Sequence, residues 1–441
     1  MLKIGDMLIS EISKEKIRIE SKLGEGGQGT VYLVKGEQGK LALKWYNSNY
    51  ATGDQKKCIL DLIRQGPPTG DVSDCFIWPK DIVLDKAEGF GYIMDLIDKN
   101  RFAELGEVYA HIKPQPHKKE LITISKNLAR AFKALHLDGF CYRDISDGNF
   151  QFDPGTGEIL ICDNDNVGIQ GLTPTSVQGT WEYMAPEIVL DEAEPSAKTD
   201  LFSLSVLLFK LWMWHHPFHG MIEYNIRAWD LPAKKLVYGE KPVFIFDEND
   251  KSNILPNDPE YNTPRRRWEL CPEILKGLFV KAFTVGIRNP NNRVNENEWW
   301  NAFVELGDLI IPCPDCRAEN IWEKSSDRFN CWYCKKALNK PVRLIISTVH
   351  GSRAIVLNKD TKICQRHMDP YSVNERDEKI GEIVQNPADP SIWGIRNTTG
   401  GNWIVTNSNG VSTEILPQKS AVITLGNVID FKNGASATFE Y

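Results

Sequence analysis

Tyr142-Arg143-Asp144-Ile145-Ser146-Asp147-Gly148-Asn149, followed after a short interval by Ile159-Leu160-Ile161-Cys162-Asp163-Asn164-Asp165-Asn166, is the stretch on which the reading of this chain turns. Asn149 comes five residues after Asp144, and Asp163 comes nineteen residues after it, at the end of an apolar run. Upstream, Gly24-Glu25-Gly26-Gly27-Gln28-Gly29-Thr30-Val31 lies between two strand-like runs, KIRIESKL and TVYLVKG. The glycines therefore form a hairpin and do not open a helix, which argues against a dinucleotide-binding fingerprint. Without Cβ atoms, such a hairpin lets backbone amides approach phosphate oxygens. Lys44 follows in Leu41-Ala42-Leu43-Lys44, on the strand face of Ala42, where it can point beneath the glycine hairpin. Downstream come Gly179-Thr180-Trp181-Glu182-Tyr183-Met184-Ala185-Pro186-Glu187, then Asp200 opening an apolar helix predicted over 199–214, then Arg293.

In order and spacing these groups resemble the signature set of the protein kinases: glycine-rich loop, strand lysine, catalytic loop, metal aspartate, Ala-Pro-Glu and helix aspartate. The resemblance implies an α+β, bilobal protein kinase fold and an ATP-dependent serine/threonine kinase that passes the γ-phosphate to a protein hydroxyl. Under it, Lys44 would hold the α and β phosphates, Asn149 and Asp163 would hold Mg²⁺ or Mn²⁺, and Asp144 would accept the substrate hydroxyl's proton. Gly24, Gly26, Gly29, Val31, Ala42, Lys44 and Gln151 would line the nucleotide site. Met94-Asp95-Leu96-Ile97 would be the hinge, with backbone groups of Asp95 and Ile97 meeting adenine. Glu187 would pair with Arg293 as a buried structural salt bridge, and Asp200 would cap the catalytic-loop backbone. The segment 164–179 would be the activation loop, with Thr173, Thr175 and Ser176 as phosphosites that Arg143 could clamp.

The pattern departs from the family in places. Asp163-Asn164-Asp165 stands where Asp-Phe-Gly is usual, Tyr142 replaces a histidine, Ser146 a lysine, and Gln151 an apolar floor to the adenine pocket. Between Lys44 and Pro79 there is no glutamate; Asp61 in the helical run Cys58-Ile59-Leu60-Asp61-Leu62-Ile63 is either the lysine's acidic partner or an exposed acid on the helix face, with Gln55 as second choice of partner. These substitutions motivate an alternative, a nucleotide-binding pseudokinase scaffold in a phospho-signalling complex. The four polar groups for transfer, Lys44, Asp144, Asn149 and Asp163, are all present.

The last third has a different character. Cys313-Pro314-Asp315-Cys316 and Cys331-Trp332-Tyr333-Cys334 have the spacing of a four-cysteine zinc ribbon, predicting a closed, structural Zn²⁺ site. From about Arg343, alternating apolar runs broken by turn residues predict an all-β module of about 100 residues. Its segments 361–367, 393–399, 416–417 and 425–431 resemble a forkhead-associated (FHA) β-sandwich. Only Arg366 and Asn397 have counterparts among the phosphothreonine-reading residues of that family, which favours a degenerate protein-binding module. The whole arrangement resembles bacterial serine/threonine kinases with a zinc ribbon and FHA-like tail. That resemblance implies a cognate metal-dependent phosphatase and a von Willebrand A domain protein as partners, beside a protein substrate.

The 441 residues are 41% hydrophobic and 25% charged, with net charge −7, which excludes a disordered chain and argues against nucleic acid as the main partner. The longest apolar stretch, 201–214, is too short for a bilayer, and the first residues lack a signal-peptide h-region, so a cytoplasmic location without membrane is expected. Segment 245–268 is polar and reads as a surface loop, with Arg265–Arg267 as a solvated charge run in preference to a phosphate-binding patch. The expected domains are 1–308 for the kinase, divided into lobes near 97, 309–340 for the zinc ribbon and 341–441 for the sandwich.

Overall fold

Alternation of apolar and polar side chains generates the first sheet. In a computed structural model, which describes residues 2–37, 39–85, 89–169, 179–322, 328–359, 361–369 and 378–441, two units pack separately, Met1–Phe303 and Val304–Tyr441. The first begins with β1 (Met7–Ile9), β2 (Lys16–Glu25), β3 (Gly29–Gly36), β4 (Gly39–Tyr46), β5 (Asp81–Asp85) and β6 (Gly89–Met94). They form an antiparallel sheet in the order β1-β2-β3-β4-β6-β5. In β2, Ile17 and Ile19 face inward between exposed Lys16 and Arg18, and they pack with Tyr32, Val34, Leu43, Val83 and Ile93.

Between β4 and β5 lies α1 (Gly53–Gln65), started by Thr52, whose side chain accepts from the Gln55 amide at 3.2 Å. Its inward residues are Ile59 and Leu62, with Gln55 and Cys58 on the same stripe at helical spacing. The rest of the unit is mainly helical. Helix Lys118–Leu137 buries Leu121, Ile124, Leu128, Phe132 and Leu135, while Ala197–Met213, capped by Ser196 and Thr199, is buried nearly all round. Two short strands, Phe150–Phe152 and Ile159–Ile161, pair with Phe150 opposite Ile161. That register puts Asn149 beside Cys162, whose amide donates to the Asn149 carbonyl at 2.9 Å.

The expected surface loop 245–268 is more ordered than its polarity suggests. It contains helix Asn262–Glu269 and a buried Asn253 whose amide donates to the carbonyls of Phe218 (2.9 Å) and Val243 (2.6 Å). Arg265 and Arg267 are not a solvated run either: Arg265 bonds the Leu255 carbonyl, and Arg267 lies 3.9 Å from the Trp214 ring centroid and donates to the Trp212 carbonyl.

In the second unit, two sheets enclose a core of Leu344, Ile346, Ile363, Ile395, Trp403, Ile429 and Phe439. One sheet orders Gly351–Val356, Arg343–Thr348, Ser436–Glu440, Val428–Asp430, Trp403–Thr406 and Ser412–Ile415; the other orders Lys362–Cys364, Lys379–Gln385, Trp393–Asn397 and Ser420–Val422. Two small hairpins precede them, Ile310–Pro312 with Glu319–Ile321 and Arg328–Asn330 with Ala337–Asn339. Among the described residues, no helix is long and apolar enough to cross a membrane.

Candidate active site and thiolate cluster

Lys44 stands opposite Tyr92 in the pairing of β4 with β6, and Ala42 opposite Met94. Ala42 and Met94 are buried, Val31 is half-buried, and Asp95 is exposed and paired with Lys80 at 2.5 Å. Ile97 is half-buried. Gly29 passes so close to the Trp45 carbonyl that an added Cβ would lie 2.2 Å from its oxygen, so only glycine closes the hairpin there. Gly24 and Gly26 meet no such neighbour.

The Lys44 ammonium, with its side chain 6% exposed, contacts Asp163 Oδ1 at 3.3 Å, Asp165 Oδ2 at 2.9 Å and Asp165 Oδ1 at 3.0 Å, and donates to Gln28 Oε1 at 3.1 Å. Burial alone would depress the lysine, but the two carboxylates outweigh it and hold its pKa above the ordinary value. Asp165 also accepts from the hydroxyls of Tyr46 (2.5 Å) and Tyr92 (3.0 Å). Enclosure raises the Asp163 carboxyl, Lys44 opposing and Asp165 adding to the effect.

Asp61 does not serve Lys44. It lies off the inward stripe of α1, 42% exposed, and pairs with Arg64 at 2.8 Å. Gln55, one turn from the helix start, reaches inward instead, its amide donating to the Tyr46 hydroxyl at 3.1 Å.

Asp144 is held from two sides. Asn149 Nδ2 donates to its Oδ2 at 3.0 Å, and the Thr180 amide and hydroxyl both donate to its Oδ1 at 2.8 Å. Gly179, at φ +90°, permits this approach, since a Cβ there would sit 2.8 Å from the Arg143 carbonyl oxygen. The loop backbone is fixed by Asp200, which accepts from the amides of Tyr142 (2.6 Å) and Arg143 (3.0 Å) and contacts His136 Nε2 at 3.1 Å. Asp163 adopts left-handed backbone geometry at φ +48°, a conformation costly for aspartate that the surrounding bonds must hold. Tyr142 contributes by donating its hydroxyl to the Cys162 carbonyl. Glu187 and Arg293 pair at 2.8 Å. Gln151 is buried and bonded to Glu104 at 3.4 Å. The Arg143 guanidinium packs against Gly168. Thr173, Thr175 and Ser176 lie outside the described residues.

The donor set suits a magnesium-bound nucleotide. Asn149 spends its amide nitrogen on Asp144, which leaves its oxygen able to take a cation, and the half-buried Asp163 carboxyl is close enough to feel the Asp144 charge. Sequence reasoning missed Asp165, Tyr46, Tyr92, Thr180 and His136. Tyr46 carried a usable signal, since it shares the strand face of Lys44 two residues on.

In the second unit, Cys313, Cys316, Cys331 and Cys334 bring their sulfurs within 4.8 Å of one another, with pairs at 3.7 Å (Cys313–Cys334) and 3.6 Å (Cys316–Cys331). A zinc tetrahedron with bonds of about 2.3 Å has sulfur–sulfur edges of about 3.8 Å, so the cluster is compatible with zinc. Each Cys pair closes a similar turn: the Arg317 amide donates to the Cys313 carbonyl, the Lys335 amide to the Cys331 carbonyl, and both donors have φ near +64°. Arg366 bonds Asp308 at 3.1 Å, and Asn397 is fully buried and bonds the carbonyls of Gly401 (2.8 Å) and Ile415 (3.1 Å).

Residues 17–252 match the protein kinase domain family. Similar proteins include the serine/threonine-protein kinase sck2 of Schizosaccharomyces pombe, 34% identical over 45% of this chain and 31% of that protein. The serine/threonine-protein kinase PkaB of Streptomyces coelicolor is 25% identical over 45% of this chain and 48% of its own, and ribosomal protein S6 kinase alpha-4 of mouse 26% over 49% and 29%. The chain thus spans less than half the length of each of these relatives.

Proposed function

This chain belongs to the protein kinase family, and we propose that it is an ATP-dependent serine/threonine protein kinase acting through Lys44, Asp144, Asn149 and Asp163. The observation that carries this reading is the convergence of those four polar groups: Lys44 lies 3.3 Å from Asp163, Asn149 lies 3.0 Å from Asp144, and the amide of Cys162, next to Asp163, donates to the Asn149 carbonyl at 2.9 Å. Asp144 would orient a substrate serine or threonine hydroxyl and take its proton as the oxygen bonds the γ-phosphorus and the bond to the β–γ bridging oxygen breaks. Lys44 would neutralise α and β phosphate charge, and Asn149 and Asp163 would hold Mg²⁺ or Mn²⁺, which supplies further charge neutralisation. Val31, Ala42, Met94 and the backbone of Asp95 and Ile97 would enclose adenine, with Gln151 below and Gly24, Gly26 and Gly29 over the phosphates. Thr173, Thr175 and Ser176 would be the phosphosites.

The kinase domain would span 1–308, a zinc ribbon 309–340 and an FHA-like sandwich 341–441. Support for the sandwich comes from its two-sheet core, and support for structural zinc from the sulfur spacing. The internal bonding of Arg366 and Asn397 favours a protein-binding module over a phosphothreonine reader. Partners would be a protein substrate, a cognate phosphatase and a von Willebrand A domain protein, in the cytoplasm of a bacterium. Transfer of label from γ-labelled ATP, by wild type and Asp144→Asn, tests the activity. Wild type should label itself or a protein substrate and the variant should not; a wild type that binds nucleotide but transfers no label with Mg²⁺ or Mn²⁺ establishes the scaffold reading instead.

A further inference from the structure

A buried ammonium needs a carboxylate with good geometry and further bonds to satisfy that carboxylate. In this chain α1 does not provide one to Lys44: its inward stripe carries Gln55 and Cys58, and its Asp61 is engaged with Arg64. Asp165 does. Its side chain is fully buried, both oxygens lie within 3.0 Å of Lys44 Nζ, and Tyr46 and Tyr92 donate to it from β4 and β6. The ammonium and two hydroxyls together satisfy the anion, an arrangement with no spare donor to exchange for water. Asp165 is also two residues from Asp163, which contacts the same ammonium.

We propose that Asp165 is the positioning residue for Lys44, so that the loop bearing the metal-binding aspartate, and not α1, sets where the phosphate-binding lysine stands. This rests on the kinase reading. It follows that Lys44 and Asp163 move as one body, and that α1 bears on the lysine through its bonds to that network and not by a carboxylate of its own. Helix α1 reaches the network through Gln55, whose amide donates to the Tyr46 hydroxyl at 3.1 Å and, at 3.5 Å, to the Asp165 carbonyl. That hydroxyl in turn bonds the Asp165 carboxylate. Gln55 is therefore one hydroxyl away from the carboxylate that holds Lys44, which makes a glutamate at that position the substitution to try in place of Asp165.

The test uses the full chain with Asp165→Gly, Asp165→Asn, and Asp165→Gly combined with Gln55→Glu, measuring Mg·ADP affinity by titration and phosphoryl transfer by label. Either single substitution should weaken Mg·ADP binding about tenfold, as expected for a lost charge-assisted contact. Transfer should fall about 10²-fold, the cost of misplacing a group by about 1 Å. Adding Gln55→Glu to Asp165→Gly should recover most of both losses, which a merely structural aspartate would not allow. Unchanged affinity and turnover in the single variants overturn the proposal, as does a folded double variant no better than Asp165→Gly. Unfolding of both single variants, seen by circular dichroism, assigns Asp165 to the structural core and also overturns it. A wild type that binds Mg·ADP without transferring label overturns the kinase reading alone, because the ADP affinities still decide the role of Asp165.

Discussion

His136 offers a quantitative test of what holds the loop at 142–149. Its Nε2 contacts Asp200, which fixes the amides of Tyr142 and Arg143, and its Nδ1 contacts Glu296, so both ring nitrogens face carboxylates and the doubly protonated ring is the form the site fits. Enclosure alone would disfavour that charge, but bonds to Asp200 and Glu296 outweigh it and hold the ring at about 9, against an ordinary 6.5. Because the folded value lies above the unfolded one, the stabilisation is complete below about pH 6.5 and is lost as pH rises through about 9. At about 1.4 kcal/mol per pH unit, the rise from 6.5 to about 9 amounts to ~3 kcal/mol. Denaturant unfolding of wild type and His136→Gln from pH 6 to pH 10 isolates this contribution, since titrations common to both proteins cancel in the difference. The stability gap should narrow by ~3 kcal/mol across that range. A gap that stays constant from pH 6 to pH 10 would refute a charged His136 between the two acids.

Glu187→Gln leaves the Arg293 guanidinium, whose side chain is 1% exposed, without its carboxylate, and should destabilise the first unit by about 3 kcal/mol or more in thermal or denaturant unfolding. Purified chain should contain one zinc by elemental analysis, and Cys331→Ser or chelation should remove it and lower the unfolding transition of the second unit; a metal-free chain with the same transition rules zinc out.

Residues fixed by backbone motifs were readable because their spacing follows from strand pairing and turns: Asn149 and Asp163 flank paired strands, and Lys44 shares the strand face of Ala42. Asp61 stays open between lysine partner and exposed acid in the sequence, because its distance from Lys44 along the chain says nothing about which side of α1 faces inward. The stripe at 55, 58, 59 and 62 settles that, and it excludes position 61. Asp165 was overlooked because it replaces a glycine, where no side-chain role is expected. The polar segment 245–268 looked like a loop because the carbonyls of Phe218 and Val243 that satisfy Asn253 come from residues distant or unremarkable in sequence.

The departures from the family pattern are coupled. Asn164, in place of an apolar residue, donates to the carbonyls of Ile77 (2.9 Å) and Ile161 (2.8 Å). Tyr142, in place of histidine, donates to Cys162, the residue before Asp163. Asp165, in place of glycine, takes Lys44. All three bear on the five residues 162–166, and each supplies a directed bond there, Asn164 in exchange for apolar packing and Asp165 for backbone freedom. Independent loss of a site would leave a buried ammonium without a carboxylate, at a cost of several kcal/mol. Here the missing glutamate of α1 and the added aspartate at 165 answer one another, and Tyr46 and Tyr92 complete the bonding. Such mutual consistency among substitutions favours a site rebuilt to hold Lys44 and Asp163 in one arrangement over a site whose residues have drifted separately.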